Sequence, residues 1–301
     1  MKAIRFNAYG GSDVLHIVEV EAPHAGPGEV RIRVRAAGVN PSDWKRREGQ
    51  YSAFEDVHFP AGLGVEGAGI VDEIGPGVMD VAIGDAVFGF GEDMIAQHAV
   101  LTHWAKKPDK LSFEVTAGLP VVSDTATRAL DQVGVAEGQT LLVSGAAGGV
   151  GSAIVQLARL RGIIVIGTAR ATKHDYLREL GAVPTTYGAG MEGRVRALVP
   201  HGVNAAIDVA GSGIIPDLIR IVGDPAHVLS VADFSAEEYG AKFSHGPPVD
   251  PARLLVEMAE LCSAGSFIVH IDRTFPLVGA KEAQEVSQSG RVTGKLVVCI
   301  D

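Results

Sequence analysis

The chain has 301 residues, enough for two domains at roughly 100–200 residues each. Its 47% hydrophobic and 21% charged residues are those of a globular protein, and its net charge of −10 excludes the basic surface on which non-specific nucleic-acid binding depends. Two cysteines, Cys262 and Cys299, cannot supply a disulfide framework or a four-cysteine zinc site.

The cysteine count fits a reduced, cytoplasmic home. The opening MKAIRFNAYGG lacks the apolar core of a signal peptide, and no run approaches the roughly twenty apolar residues of a membrane span. Lys2 to Phe6 alternates. Glu29 to Arg35 alternates strictly, with Val30, Ile32 and Val34 on one face and arginines on the other, which predicts a half-buried strand. Gly64 to Ile74 and Ala82 to Phe90 are further strands, separated by Gly75-Pro76-Gly77. Many short strands with Gly/Pro turns predict a partly closed barrel over the first 120 residues or so, with no alternation of helix and strand.

Residues 112–134 turn helical. From Thr140 the pattern changes to one βαβ unit: the apolar run Leu141-Leu142-Val143, a glycine turn, a helix-period segment through Ile154, Leu157, Ala158 and Leu160, and the β-branched run Ile163 to Ile166. The turn reads Ala146-Ala147-Gly148-Gly149-Val150-Gly151, a dinucleotide fingerprint with Ala in place of its first Gly. Missing side chains let backbone approach a pyrophosphate, and Gly151 lets helix lie close on strand. Free N–H groups at the helix start would then face the phosphates.

A helix near Lys173 to Leu180, ended by Gly181, comes next, and then a weak strand around Thr185 to Tyr187. Val203 to Val209 and His227 to Val231 read as strands, and Pro251 to Ser263 as a helix. Ser266 to Asp301 returns to strand, helix, strand. Too short for a domain, it is expected to pack on the first one.

Five segments together resemble one family: Gly38-Val-Asn-Pro-Ser-Asp-Trp44, Gly64-Val-Glu-Gly-Ala-Gly-Ile-Val71, Ile83-Gly-Asp-Ala-Val-Phe88, Ala146 to Gly151, and Gly290-Arg-Val-Thr-Gly-Lys-Leu-Val297. By these segments the chain resembles the medium-chain dehydrogenase/reductase superfamily, in its zinc-free, zeta-crystallin-like quinone oxidoreductase branch. The resemblance implies an α/β protein. A GroES-like β-barrel catalytic domain would span 1–119 and 266–301, and a Rossmann domain with a doubly wound parallel sheet would span 120–265. It further implies an active site in the cleft between the domains and a homodimer or tetramer, of which the dimer is expected.

Zinc-dependent relatives place a Cys where this chain has Asn40, a His where it has Val65, and a Cys where it has Val121. An amide and two aliphatic side chains cannot form a nitrogen–sulfur zinc site, so no metal is expected. After the second Rossmann strand the chain reads Gly167-Thr168-Ala169-Arg170, then Lys173. No carboxylate stands there to bond a ribose 2′-hydroxyl, and two cations could pair with a 2′-phosphate, Arg170 bidentately. The expected cofactor is therefore NADPH, although both cations also read as ordinary solvated helix-end charges. The resemblance adds Tyr187 near the adenosine phosphate. The full expected cofactor set is Ala146, Gly148, Gly149, Val150, Gly151, Thr168, Arg170, Lys173 and Tyr187, then Val209, Val231, Phe243 and Lys295.

Hydride transfer to a quinone needs a flat apolar slot and donors for the developing oxyanion. The resemblance places Asn40, Tyr51 and Thr125 there as catalytic candidates. Asp43 and Glu66 read as structural. The leading expectation is an NADPH:quinone reductase acting on a small molecule, with no nucleic-acid or membrane partner. An enone or 2-alkenal double-bond reductase on the same fold is not separated from it by sequence. A zinc alcohol dehydrogenase conflicts with the missing ligands, and a non-enzymatic NADPH-binding protein is the reading of another class.

Overall fold

The alternation around Val30 becomes the axis of the N-terminal half of the computed structural model, which describes residues 1–246 and 250–301. β1 (Lys2–Phe6) pairs antiparallel with β2 (Leu15–Glu19). β3 (Val30–Val39) buries Val30, Ile32 and Val34, and α1 (Pro41–Arg47) follows directly. β4 (Glu66–Ile74), β5 (Ala86–Gly91) and β6 (His98–Lys106) run antiparallel in sequence, and β6 pairs again with β3, closing a small barrel. Val30, Ile32, Val34, Val71, Val87 and Leu101 fill it. Such closure leaves few exposed strand edges.

α1 places a helix in a stretch for which the sequence predicts only short strands and turns. Pro41 pre-sets the first helical φ, and the Asp43 carboxylate accepts the Asn40 N–H at 2.7 Å, so the turn is held at its start. Seven residues are too few to show an apolar period.

After α2 (Phe113–Ala117) and α3 (Pro120–Val133) the strands become parallel. The succession is β7 (Thr140–Ser144), α4 (Gly149–Leu160), β8 (Ile164–Thr168), α5 (His174–Glu179), β9 (Val183–Thr185), α6 (Met191–Leu198), β10 (Ala205–Asp208), α7 (Ile215–Val222), β11 (Val228–Ser230) and β12 (Lys242–Phe243). The sheet order is β12-β11-β10-β7-β8-β9, so the order reverses between β7 and β10. That is the doubly wound Rossmann order, with its ligand-binding switch point at the carboxyl ends of β7 and β10. β9 ends at Thr185, two residues before the predicted strand end, which leaves Thr186 and Tyr187 in the loop beyond it.

α8 (Pro251–Ser263), β13 (Ile271–Pro276), α9 (Ala280–Gln288) and β14 (Lys295–Cys299) complete the chain. β14 pairs antiparallel with β3, as a returning segment should, and β13 runs parallel beside it. The chain divides into two compact units, Met1–Val121 with Asp250–Asp301, and Val122–Val249. The sequence-based return point at 266 is thus moved to 250: α8 packs along β6 and belongs to the first unit. Its amphipathic pattern shows only that one face is buried, and does not reveal against which sheet. Among the described residues, no helix is long and apolar enough to cross a membrane.

Candidate active site

In the parallel-sheet unit, β7 runs into the glycine turn and α4 starts at Gly149, with Gly148 as its N-cap. A Cβ on Gly151 would lie 2.3 Å from the Gly145 carbonyl oxygen and 2.7 Å from Ala146 Cα. Helix and turn therefore touch backbone to backbone, the close packing for which the fingerprint needs glycine. At Gly148 a Cβ would meet only the Gly145 oxygen, at 3.6 Å, so the space beside it is open. No acidic residue occupies the first turn of α4, which leaves its positive end available to an anion.

Thr168 ends β8 and is buried. Its Oγ1 accepts the Gly145 N–H at 3.3 Å and its carbonyl accepts the Ala146 N–H at 3.1 Å, pinning the turn to the neighbouring strand. Just beyond, the exposed Arg170 donates from Nε to Tyr187 Oη at 3.2 Å, joining two predicted cofactor residues. Lys173 lies in the short turn before α5. Arg194, which sequence reading passed over, holds the Tyr187 loop: its guanidinium donates to the carbonyls of Thr186 (2.9 Å) and Ala189 (2.8 Å). A lone arginine on a helix gives no sequence signal of that role.

Val209, Val231 and Phe243 stand at or just past the carboxyl ends of β10, β11 and β12, each partly exposed. Phe243 packs against Phe234 with ring centroids 5.0 Å apart. Thr125 lies partly exposed on α3. Beside it Asp124 pairs with Arg128 at 3.2 Å, and Arg128 reaches Ser244 Oγ at 2.8 Å. Burial raises the Asp124 carboxyl, with Arg128 opposing. The open turn, the free helix start and the Arg170–Tyr187 pair fit a dinucleotide cofactor.

The barrel unit holds a second cluster around Glu66, which is fully buried. Asn40, 4% exposed, donates from Nδ2 to Glu66 Oε1 at 2.8 Å. Lys295 Nζ donates to Asn40 Oδ1 and to Glu66 Oε1, both at 2.6 Å, and to the Val39 carbonyl at 3.4 Å. Glu66 Oε2 accepts the Val121 N–H at 2.8 Å. One carboxylate thus ties together β14, the end of β3, β4 and the start of α3. The Lys295 ammonium, expected at the cofactor, has its three N–H groups directed at these acceptors instead. Asn40 keeps one Nδ2 hydrogen beyond this network.

Asp43 accepts the N–H groups of Asn40 (2.7 Å) and Gly64 (3.3 Å). Burial pushes its pKa up to about 6, against the pull of those bonds and of Lys295. Tyr51, in the turn after α1, is pushed up to about 12 by burial and by the charges of Asp43 and Glu55. Its hydroxyl therefore stays protonated and remains a donor at any physiological pH.

Among the described residues, no group of three or more His, Cys, Asp or Glu side chains is placed to hold a metal ion. The surroundings of Asn40 do not fit zinc: an ammonium already sits against its oxygen, and the nearby Val121 contributes a backbone N–H.

A closed β-barrel unit joined to a parallel sheet with an open glycine turn defines a dinucleotide-dependent oxidoreductase of two units. Residues 26–104 match the alcohol dehydrogenase GroES-like domain, and residues 185–298 match the zinc-binding dehydrogenase family. A chloroplast envelope quinone oxidoreductase homolog of Arabidopsis thaliana is 30% identical over 322 residues, covering 99% of this chain and 98% of the relative. The quinone oxidoreductase of Coxiella burnetii superposes with a TM-score of 0.88 at 30% identity, covering 100% of this chain and 99% of that one. A mycobacterial protein solved in complex with NADPH gives a TM-score of 0.87 at 26% identity, covering 99% of this chain and 100% of that one. The chain spans about half, 54%, of the length of the synaptic vesicle membrane protein VAT-1 homolog of Rattus norvegicus, to which it is 34% identical over 220 residues. The chain belongs to the medium-chain dehydrogenase/reductase superfamily of oxidoreductases.

Proposed function

We propose that this protein reduces quinones with NADPH by direct two-electron hydride transfer, without zinc, as a cytoplasmic homodimer. The observation that carries the cofactor half is the Arg170–Tyr187 pair beyond β8, where no carboxylate stands. A planar guanidinium there matches a ribose 2′-phosphate. Ala146 to Gly151 would hold the pyrophosphate against the start of α4, and Lys173 would add a second cation. Similarity to quinone oxidoreductases over the whole chain supports the substrate half.

The nicotinamide, when bound, supplies the hydride. The chain's own residues have three tasks. Tyr51, kept protonated, donates a hydrogen bond to the oxyanion that develops on the acceptor. Asn40 offers its remaining Nδ2 hydrogen, with its amide held in one orientation by Lys295 and Glu66. Thr125 supplies a third donor, a second hydroxyl. No strong protein acid is required, because a hydroquinone anion takes its proton from water. Lys295 supports the zinc-free reading, since its positive charge rests on the oxygen of Asn40, where zinc-dependent relatives carry a cysteine ligand.

Two results are expected. Arg170→Ala will weaken NADPH at least tenfold more than NADH, because a charge-assisted phosphate contact contributes roughly 1.5–3 kcal/mol. Titration of both cofactors reads this, and equal losses would remove Arg170 from phosphate recognition. In a matched panel, NADPH oxidation will be supported by several quinones. Efficient turnover of α,β-unsaturated ketones with none of the quinones would replace this reading with the double-bond reductase.

A further inference from the structure

The carboxyl ends of β10 and β11 are joined by a buried acid that none of the roles above uses. Asp208, the last residue of β10, is fully buried. Its Oδ1 accepts the Ala210 N–H at 3.0 Å, and its two oxygens share the Gly211 N–H at 3.3 and 3.2 Å. Oδ2 also accepts from Ser230 Oγ at 2.9 Å. Ser230 ends β11, and its Oγ in turn accepts the N–H groups of Ala232 (3.1 Å) and Asp233 (2.9 Å). Both acceptor sites of that hydroxyl are therefore filled, and its single hydrogen goes to Asp208. One carboxylate and one hydroxyl thereby set the backbone of residues 209–211 and of residues 231–233. These two loops follow the strands just beyond the switch point, and Val209 and Val231 open them. Burial raises the Asp208 carboxyl, and its hydrogen bonds from Ala210, Ser230, Ser144 and Gly211 draw it back toward the ionised form that these four donors require.

We propose that Asp208 is a positioning residue. Acting through Ser230, it locks the two loops after β10 and β11 into one surface against which the nicotinamide half of the cofactor rests. The adenosine half is held elsewhere, at Arg170 and Tyr187. This inference rests on the NADPH reading given above. An asparagine at 208 keeps the oxygen facing Ala210. It turns an NH2 toward Ser230 Oγ, which has no acceptor site left for it, so the two loops come apart.

The test is calorimetric titration of the wild-type chain, Asp208→Asn and Ser230→Ala. Each is titrated with NADPH and with adenosine 2′,5′-bisphosphate, which carries only the adenosine half. Asp208→Asn is expected to lose at least about tenfold in NADPH affinity and less than twofold for the bisphosphate. Ser230→Ala, which frees only residues 231–233, should show the same split at a few-fold. Should Asp208→Asn fail to fold, Ser230→Ala decides by the same split. Unchanged NADPH affinity in both variants overturns the proposal, as does an equal loss for both ligands, which marks general damage to the sheet. A wild-type chain that binds neither ligand overturns the NADPH reading itself, and with it this inference. A wild type that binds both, with no split in the variants, overturns the positioning role alone.

Discussion

Lys295→Met will lower stability by about 3–5 kcal/mol, the cost of leaving one partner of a buried ion pair uncompensated. Glu66 is fully buried and Lys295 is 4% exposed, so solvent cannot screen the charge left behind. The substitution also strips Asn40 Oδ1 of its donor at 2.6 Å, so the amide is no longer held in one orientation. Two measurements follow. Thermal unfolding should drop by on the order of 10 °C. In material that remains folded, kcat should fall with KM for NADPH little changed if Asn40 acts on the acceptor as proposed. Pairing the change with Glu66→Gln removes the orphaned charge and should recover part of the stability. A melting temperature within a degree or two of wild type for Lys295→Met would show that this pair holds nothing together.

Gly151→Ala is the second large effect. The added methyl would sit 2.3 Å from the Gly145 oxygen and 2.7 Å from Ala146 Cα, and both are backbone atoms that cannot rotate away. Relief requires α4 to move off β7, which breaks the turn intended for the pyrophosphate. Overpacking of this kind costs roughly 1–3 kcal/mol, and here it is coupled to the binding site. NADPH binding should fall on the order of a hundredfold, by more than the stability loss alone explains. Gly148→Ala is the control, since its methyl has 3.6 Å to the nearest atom. It should leave the melting temperature alone yet weaken NADPH, because the space it takes is where phosphate is expected to approach. Wild-type affinity in Gly151→Ala would mean that the helix does not need to lie so close.

The βαβ unit was legible because its signals are local. Two short apolar runs, a glycine turn and a helix-period segment lie within thirty residues, and each reports its own conformation. β3 was legible for the same reason, as alternation shows directly which face is buried. Helix α1 was not, since its start depends on one carboxylate capping one N–H and its length hides any period. The loop role of Arg194 and the Asp208–Ser230 link were equally silent. Each depends on which backbone groups arrive beside a side chain, and no residue type encodes that.

The sequence by itself determined the dinucleotide turn, the alternating strands and the parallel succession after residue 140. These follow from residue chemistry at short range, where spacing along the chain equals spacing in the fold. Tertiary structure alone decided that Lys295 meets Asn40 across 255 positions and Glu66 across 229. It also decided that α8 belongs with β6 rather than with the parallel sheet. The physical reason is the same in both cases. Which strand lies beside β3, and which sheet covers an amphipathic helix, is set by the closing of the barrel. A buried lysine finds its carboxylate only after that closure has removed both from water.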